Sequence, residues 1–210
     1  EMNADPIAPG ATRFRFAYGP LAVEPGQNSI AFTDQAVPKP NEDGYIVRIS
    51  PNLRNADGTP IPSDQVMFHH GVWLNSSRPD ATSRLPQRVF AAGEEKTIAT
   101  FPEGYGYQYD ADDELTINYM LHNLTADPEQ LWITYDIDFV PSTATEAKSI
   151  TPTRPIWMDV QNGGIYPIFD VFLGRDGEDG TFTYPDDAAP DDPGRTRSEW
   201  TVDRDGVIVF

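Results

Sequence analysis

The chain contains no cysteine, which excludes disulfide bonds, zinc–thiolate sites and thiol catalysis. No apolar run reaches the length needed to cross a bilayer, so we expect no membrane insertion. Basic residues are scarce: 15 Lys and Arg stand against 33 Asp and Glu, and the formal net charge is -18. Because this charge repels phosphate groups, we expect no nucleic-acid partner. The acidic balance indicates a solvated surface and suits an extracellular or cell-surface protein.

Helical periodicity is also scarce, and 20 prolines with 16 glycines divide the chain into short segments. Many of these segments alternate apolar and polar residues, which is typical of half-buried strands. We therefore predict an all-β fold, an antiparallel β-sandwich of jelly-roll-like type. No internal repeat is evident.

Three segments are expected along the chain. Residues 1–40 form a Pro-rich N-terminal arm with a first strand, and residues 41–174 form the sandwich. Residues 175–210 form an acidic loop followed by C-terminal strands. The apolar run 207–210 at the end of this last segment is either a terminal core strand or the approach to a second domain.

The clearest predicted hairpin joins residues 114–122 to residues 131–140 through the loop between them. Apolar residues occupy alternate positions in both arms, and these are Ile117, Tyr119, Leu121, Leu131, Ile133, Tyr135, Ile137 and Phe139. This alternation places His122 on the opposite face of its strand from the core, together with Asn118 and Met120.

The chain has only three histidines, and two of them, His69 and His70, are adjacent within the apolar, β-prone run 66–74. Neighbouring side chains of a strand point to opposite faces, so both rings reach one point only if the backbone bends or the metal lies at an edge. Gly71 would permit such a bulge. Polar rings in an apolar wall need partners, and a metal ion is one candidate. With His122 they would form a three-nitrogen set suited to copper or to a zinc–water centre. Histidines with this spacing are, however, more often structural residues than metal ligands.

The order of motifs between about residues 40 and 145 adds a resemblance. It comprises MFHH at 67–70, FAAG at 90–93, FPEGYGY at 101–107, LTINYMLH at 115–122 and VP at 140–141. In this order the chain resembles the first catalytic-core domain of the copper type II, ascorbate-dependent monooxygenases, the peptidylglycine α-hydroxylating monooxygenase group. EDGY at 42–45 and the run to the His-His pair are similar to the stress-upregulated nodulin-like family, which is the nearer of the two.

The resemblance implies that His69, His70 and His122 are the ligands of an electron-transfer copper, with zinc as the second choice of metal. The oxygen-activating copper of that family lies in a second domain, on a His-x-His pair and a methionine, and this chain has no His-x-His. A hydroxylase would therefore need a second copper domain elsewhere. The alternative is a non-catalytic, secreted or cell-surface module that uses the same fold for interaction or self-assembly.

A weaker metal candidate is the acidic stretch containing Asp110, Asp112, Asp113 and Glu114. It lacks the spacing and the glycine of a calcium-binding loop, so we expect a solvated turn.

Overall fold

A computed structural model describes residues 6–81, 86–156 and 203–209 of the chain. Two β-sheets pack face to face, and all but one of the strand pairings are antiparallel, which confirms the predicted all-β sandwich. The strands are β1 (Thr12–Val23), β2 (Asn28–Phe32), β3 (Gly44–Arg54), β4 (Val66–Pro79), β5 (Pro86–Gly93), β6 (Ala99–Thr100), β7 (Tyr105–Tyr109), β8 (Leu115–Asn123), β9 (Glu129–Pro141) and β10 (Thr151–Thr153). A short 3-10 helix spans Glu146–Ser149.

The six-stranded sheet has the order β1-β9-β3-β7-β10, and β6 also pairs with β3. The four-stranded sheet has the order β2-β8-β4-β5. Both strands from the expected N-terminal arm take part, because β1 pairs with β9 and β2 pairs with β8. Residues 1–40 thus contribute one strand to each sheet.

The core between the sheets is filled by the inward-facing side chains of both. Trp73 is fully buried there, and its ring centroid lies 5.3 Å from that of Phe90, 5.5 Å from that of Tyr135 and 6.3 Å from that of Phe68. Tyr135 belongs to the six-stranded sheet, whereas the other three rings come from the four-stranded sheet. This aromatic cluster therefore ties the two layers together.

The predicted hairpin of residues 114–122 and 131–140 is wrong. β8 pairs with β2 and β4 whereas β9 pairs with β1 and β3, so the chain crosses from one sheet to the other between them. Asn123 holds this crossing: its Nδ2 donates to the carbonyls of Val23 and Asp127, each at 2.9 Å. The two apolar faces meet across the core instead of lying side by side, an arrangement that the same alternation permits.

Other elements differ in extent. The sequence predicts a loop over 75–84 and a strand over 96–101. In the structure β4 continues to Pro79, and the second of these segments keeps only the two residues of β6. Residues 203–209 form no strand, and Val207 and Ile208 are exposed. The apolar segment 165–173, which the sequence predicts to be a strand, and the acidic loop lie outside the described residues.

Tyr107 makes a buried polar connection between the sheets. Its hydroxyl donates to Gln87 Oε1 at 2.6 Å and accepts from Asn75 Nδ2 at 3.0 Å. Tyr107 lies on β7, and its two partners lie on β5 and β4 of the other sheet. Burial raises the pKa of Tyr107 to about 12 from the ordinary value of 10.0.

Stability is therefore expected to fall between pH 10 and pH 12. Below pH 10 Tyr107 is protonated in both states, whereas between the two pKa values only the unfolded state ionises, which favours unfolding by about 2–3 kcal/mol. Urea denaturation across this range tests the expectation against Tyr107→Phe, which should lose less stability over the same interval. The other tyrosines are common to both proteins, so equal losses would contradict it.

Candidate functional site

A β-bulge places both adjacent histidines on one face of the four-stranded sheet. In the pairing of β4 with β8, Phe68 lies opposite Leu121 and His70 lies opposite Met120, so His69 is the extra residue. Phe68 and Gly71 point into the core on either side of the pair, while both imidazoles lie on the outer face. The bend that the sequence required for two neighbouring histidines to share a face is present.

Gly71 has a different role from the one expected of it, because the bulge lies at His69. A Cβ atom at Gly71 would lie 2.2 Å from Cζ and 2.9 Å from Cε2 of Phe68. Phe68 is fully buried and packs edge-on against Trp73. Only glycine leaves room for this ring, so Gly71 supports the histidine strand from the core side.

His122 lies on the adjacent strand and on the same outer face, as the alternation predicted. The core-facing residues of β8 are buried, and His122, half-buried, alternates with them. Its direct cross-strand neighbour is Met67, while His70 pairs with the next outward residue of β8, Met120. His122 and His70 are therefore diagonal neighbours across two hydrogen-bonded strands, with the bulged His69 between them along β4.

Asn118 fixes the tautomer of His70. Asn118 Nδ2 donates to the carbonyl of Ala31 at 3.2 Å, which turns its Oδ1 towards His70 Nε2 at 3.1 Å. Since the amide oxygen only accepts, Nε2 carries the proton and the lone pair of the neutral ring lies on Nδ1. Burial is the largest effect on the pKa of His70 and lowers it. The hydrogen bond to Asn118 raises this pKa and the charge of His69 lowers it, so the ring favours its neutral form. A neutral imidazole oriented by a second residue is the usual arrangement of a histidine ligand.

Sequence reasoning placed Met120 on the face of His122 but missed Met67 and the pairing of both methionines with histidines. Met67 lies opposite His122 and Met120 lies opposite His70, with all four side chains on the outer face. Thioether sulfur is a soft ligand that favours Cu(I). No local sequence motif marks the pairing of these methionines with the histidines. It can be recognised only when β4 and β8 are known to be neighbouring strands.

The rotamers in the structure do not assemble the three imidazoles around one point. Among residues 6–81, 86–156 and 203–209, the group of three His, Asp or Glu side chains whose ligand atoms all lie within 4.8 Å of one another is Asp110, Asp112 and Asp113. Nitrogen ligands of one ion each lie about 2.0–2.1 Å from it, so they lie closer together than this limit. The His69 and His70 ring centroids are 5.9 Å apart with the rings inclined by 76°. Binding of one ion by all three histidines therefore requires at least one imidazole to rotate.

The cluster of Asp110, Asp112 and Asp113 already has a positively charged partner, the side chain of Arg78. Arg78 Nη2 lies 2.7 Å from Asp110 Oδ2 and 2.8 Å from Asp113 Oδ2. Asp113 also accepts a hydrogen bond from the backbone N–H of Asp110, so the carboxylates close a turn between β7 and β8. Although the distances would allow a metal ion, the arrangement fits the turn that the sequence predicted.

Fold and site together define the class: an all-β antiparallel sandwich with three histidines on the outer face of its smaller sheet. Comparison with protein-family models, with curated proteins and with solved structures found no significant match. Within the described part of the chain, no helix has the length and apolar character needed to span a membrane. For a role of the histidines in metal binding, the geometry of the sheet and the resemblance in motif order are therefore the arguments.

Proposed function

We propose that the protein is a copper-binding β-sandwich domain in which His69, His70 and His122 supply the nitrogen ligands. The observation that carries the proposal is the bulge at His69, which brings two consecutive histidines to the face that already holds the third. A regular strand would have buried one of the two rings in the core. The proposed role is that of the electron-transfer half of a type II copper monooxygenase-like enzyme, acting with a second copper domain outside the cell or at its surface.

The neighbouring residues favour copper over zinc. Met67 and Met120 lie directly across from His122 and His70, which adds soft donors to a nitrogen set. Copper bound there would supply one-electron chemistry, since it cycles between two oxidation states. Asn118 would hold the His70 ring in the tautomer with Nδ1 free, and the half-buried position of His70 would limit access of water.

The proposal predicts about one copper per chain in the wild type and loss of tight copper binding in His122→Ala. Elemental analysis after dialysis measures the stoichiometry, and paramagnetic resonance of the Cu(II) form measures the nitrogen ligands. Thr116→Ala is the matched control, because Thr116 lies on the same face of β8 but away from the histidines. Equal copper in the wild type and in His122→Ala would remove His122 as a ligand.

The second candidate function is a non-catalytic interaction module. It is favoured by the outward side chains around the histidines, which are largely apolar in a chain of net charge -18. They include Ile30, Phe32, Val72 and Leu74, and Phe32 is 64% exposed. A partner or a second copy that covered this face would shield these side chains from water. Absence of copper uptake by the wild type in the same measurement would favour this function over the first.

A further inference from the structure

The opposite outer face of the sandwich carries a concentration of positive charge. A cavity of about 360 Å³ on the six-stranded sheet is lined by five of the chain's 15 basic residues, Arg13, Arg15, Arg48, Arg54 and Lys96. Asp136 is the one acidic residue in the lining. In a chain of net charge -18, such clustering runs against the overall composition. We call this feature the cationic cavity.

The strand register builds the cationic cavity in rows. In one row Asp138 of β9 lies between Arg13 of β1 and Arg48 of β3. In the next row Asp136 lies between Arg15 and Ser50. The β1 arginine of each row forms two hydrogen bonds to its aspartate, at 2.6 and 2.7 Å in both cases.

Arg54 and Lys96 are different, because neither forms an ion pair with a described residue. Arg54 Nη1 donates to the carbonyl of Gly58 at 2.6 Å, and Lys96 Nζ donates to Asn52 Oδ1 at 2.9 Å and to the carbonyl of Ile61 at 3.2 Å. Arg54 Nε is buried and has no hydrogen-bond partner. Two cations are thus held by neutral acceptors, and among the described residues no carboxylate lies at ion-pair distance to balance either charge.

Repulsion between like charges further disfavours the charged forms of Arg54 and Lys96. Burial is the largest cause that lowers the pKa of Arg54, the charge of Arg15 lowers it further, and the charge of Asp136 opposes both. The pKa of Lys96 is lowered by burial and then by Arg54. Lys96 also has a φ of 50°, a left-handed backbone conformation that lysine rarely adopts. Residues in such conformations are concentrated at binding sites, where the surrounding structure holds them in place.

We propose that the cationic cavity binds a small ligand through an oxyanion, with Arg54 and Lys96 as the charged donors. The oxyanion is a phosphate, sulfate or carboxylate group, each of which accepts charge-assisted hydrogen bonds from such donors. Ser50, Asn52 and Thr134 add neutral polar groups to the lining, and Pro51 and Ile98 add apolar surface. The volume suits a small molecule or an inorganic ion and is too small for a folded partner. The cavity lining contains none of the three histidines, so this proposal does not depend on the proposed copper site.

The test uses the full chain with sodium phosphate, sodium sulfate and sodium malonate as probes, each compared with chloride at equal ionic strength. Isothermal titration is expected to show one saturable site for at least one probe, and the unfolding midpoint should rise above its value in chloride. Comparison of sulfate and phosphate with malonate separates a tetrahedral oxyanion from a carboxylate. Arg54→Gln and Lys96→Gln should each weaken the affinity about tenfold to a hundredfold.

Lys148→Gln is the matched control, because it removes the same charge from an exposed position that does not line the cavity. It should retain the wild-type affinity. Arg54→Gln should be at least as stable as the wild type in chloride, since it removes repulsion from the cationic cavity. If it does not fold, Arg54→Lys keeps the charge, lacks the forked donors of the guanidinium and should still bind more weakly. Equal affinity in the wild type and in the Arg54 and Lys96 variants, or no probe bound beyond chloride, would overturn the proposal.

Discussion

Asp138→Asn is expected to lower the free energy of unfolding by about 3–5 kcal/mol, which is typical when one partner of a buried ion pair is removed. Asp138 is 1% exposed, and both of its oxygens accept from Arg13. Arg48, 6% exposed, lies opposite it on β3. The amide would keep the shape of the carboxylate but leave the guanidinium of Arg13, whose side chain is 13% exposed, without its counter-charge. Urea denaturation at neutral pH measures the loss.

Asp136→Asn is the matched control for this prediction. Asp136 is the next outward residue of the same strand and forms the same two-bonded pair with Arg15. The Arg15 side chain, however, is 37% exposed, so water can solvate its charge when the negative charge of Asp136 is removed. A loss of about 0–1 kcal/mol is expected there. Similar losses in the two variants would show that burial does not control the strength of these pairs.

Gly71→Ala is expected to destabilise the fold by about 3 kcal/mol, at the upper end of what overpacking of a core costs. The new Cβ would lie 2.2 Å from the Phe68 ring, which is enclosed by the core and packs against Trp73. Either the ring or β4 must move. Because His69 and His70 lie between these two positions, the same variant should also weaken the copper binding proposed above. Unfolding free energy and copper stoichiometry, measured on the same preparation, check both effects.

Two further variants isolate the contact with Phe68. Gly206→Ala adds the same methyl group at a position where nothing lies within 4 Å, so its stability should be unchanged. Phe68→Leu removes the clashing ring edge, and the double variant Gly71→Ala with Phe68→Leu should be more stable than the sum of the two single losses predicts. Strict additivity would mean that Gly71 is required for a reason other than the space taken by Phe68.

Alternation along single strands predicted which side chains face the core, and this part of the fold followed from the sequence. The outward position of His122 and the need for a bend at His69 and His70 were predicted in this way. A period of two, however, specifies a face and not a neighbour, because the same apolar face can pack beside its partner or across from it. β8 and β9 were therefore assigned to one hairpin although they lie in different sheets.

Features that depend on strand neighbours could not be predicted for the same reason. Met67 and His122 are far apart in the sequence and become adjacent only through the register of β4 with β8. The cationic cavity draws its basic residues from two strands and a loop, none of which is rich in basic residues by itself. No local pattern marks such a site.

The two candidate sites occupy opposite outer surfaces of one sandwich, separated by both sheets and the core. If another protein covered the face that carries the histidines, the cationic cavity would remain accessible from solvent. Under these two proposals, one surface would hold the domain in an assembly while small molecules exchanged at the other.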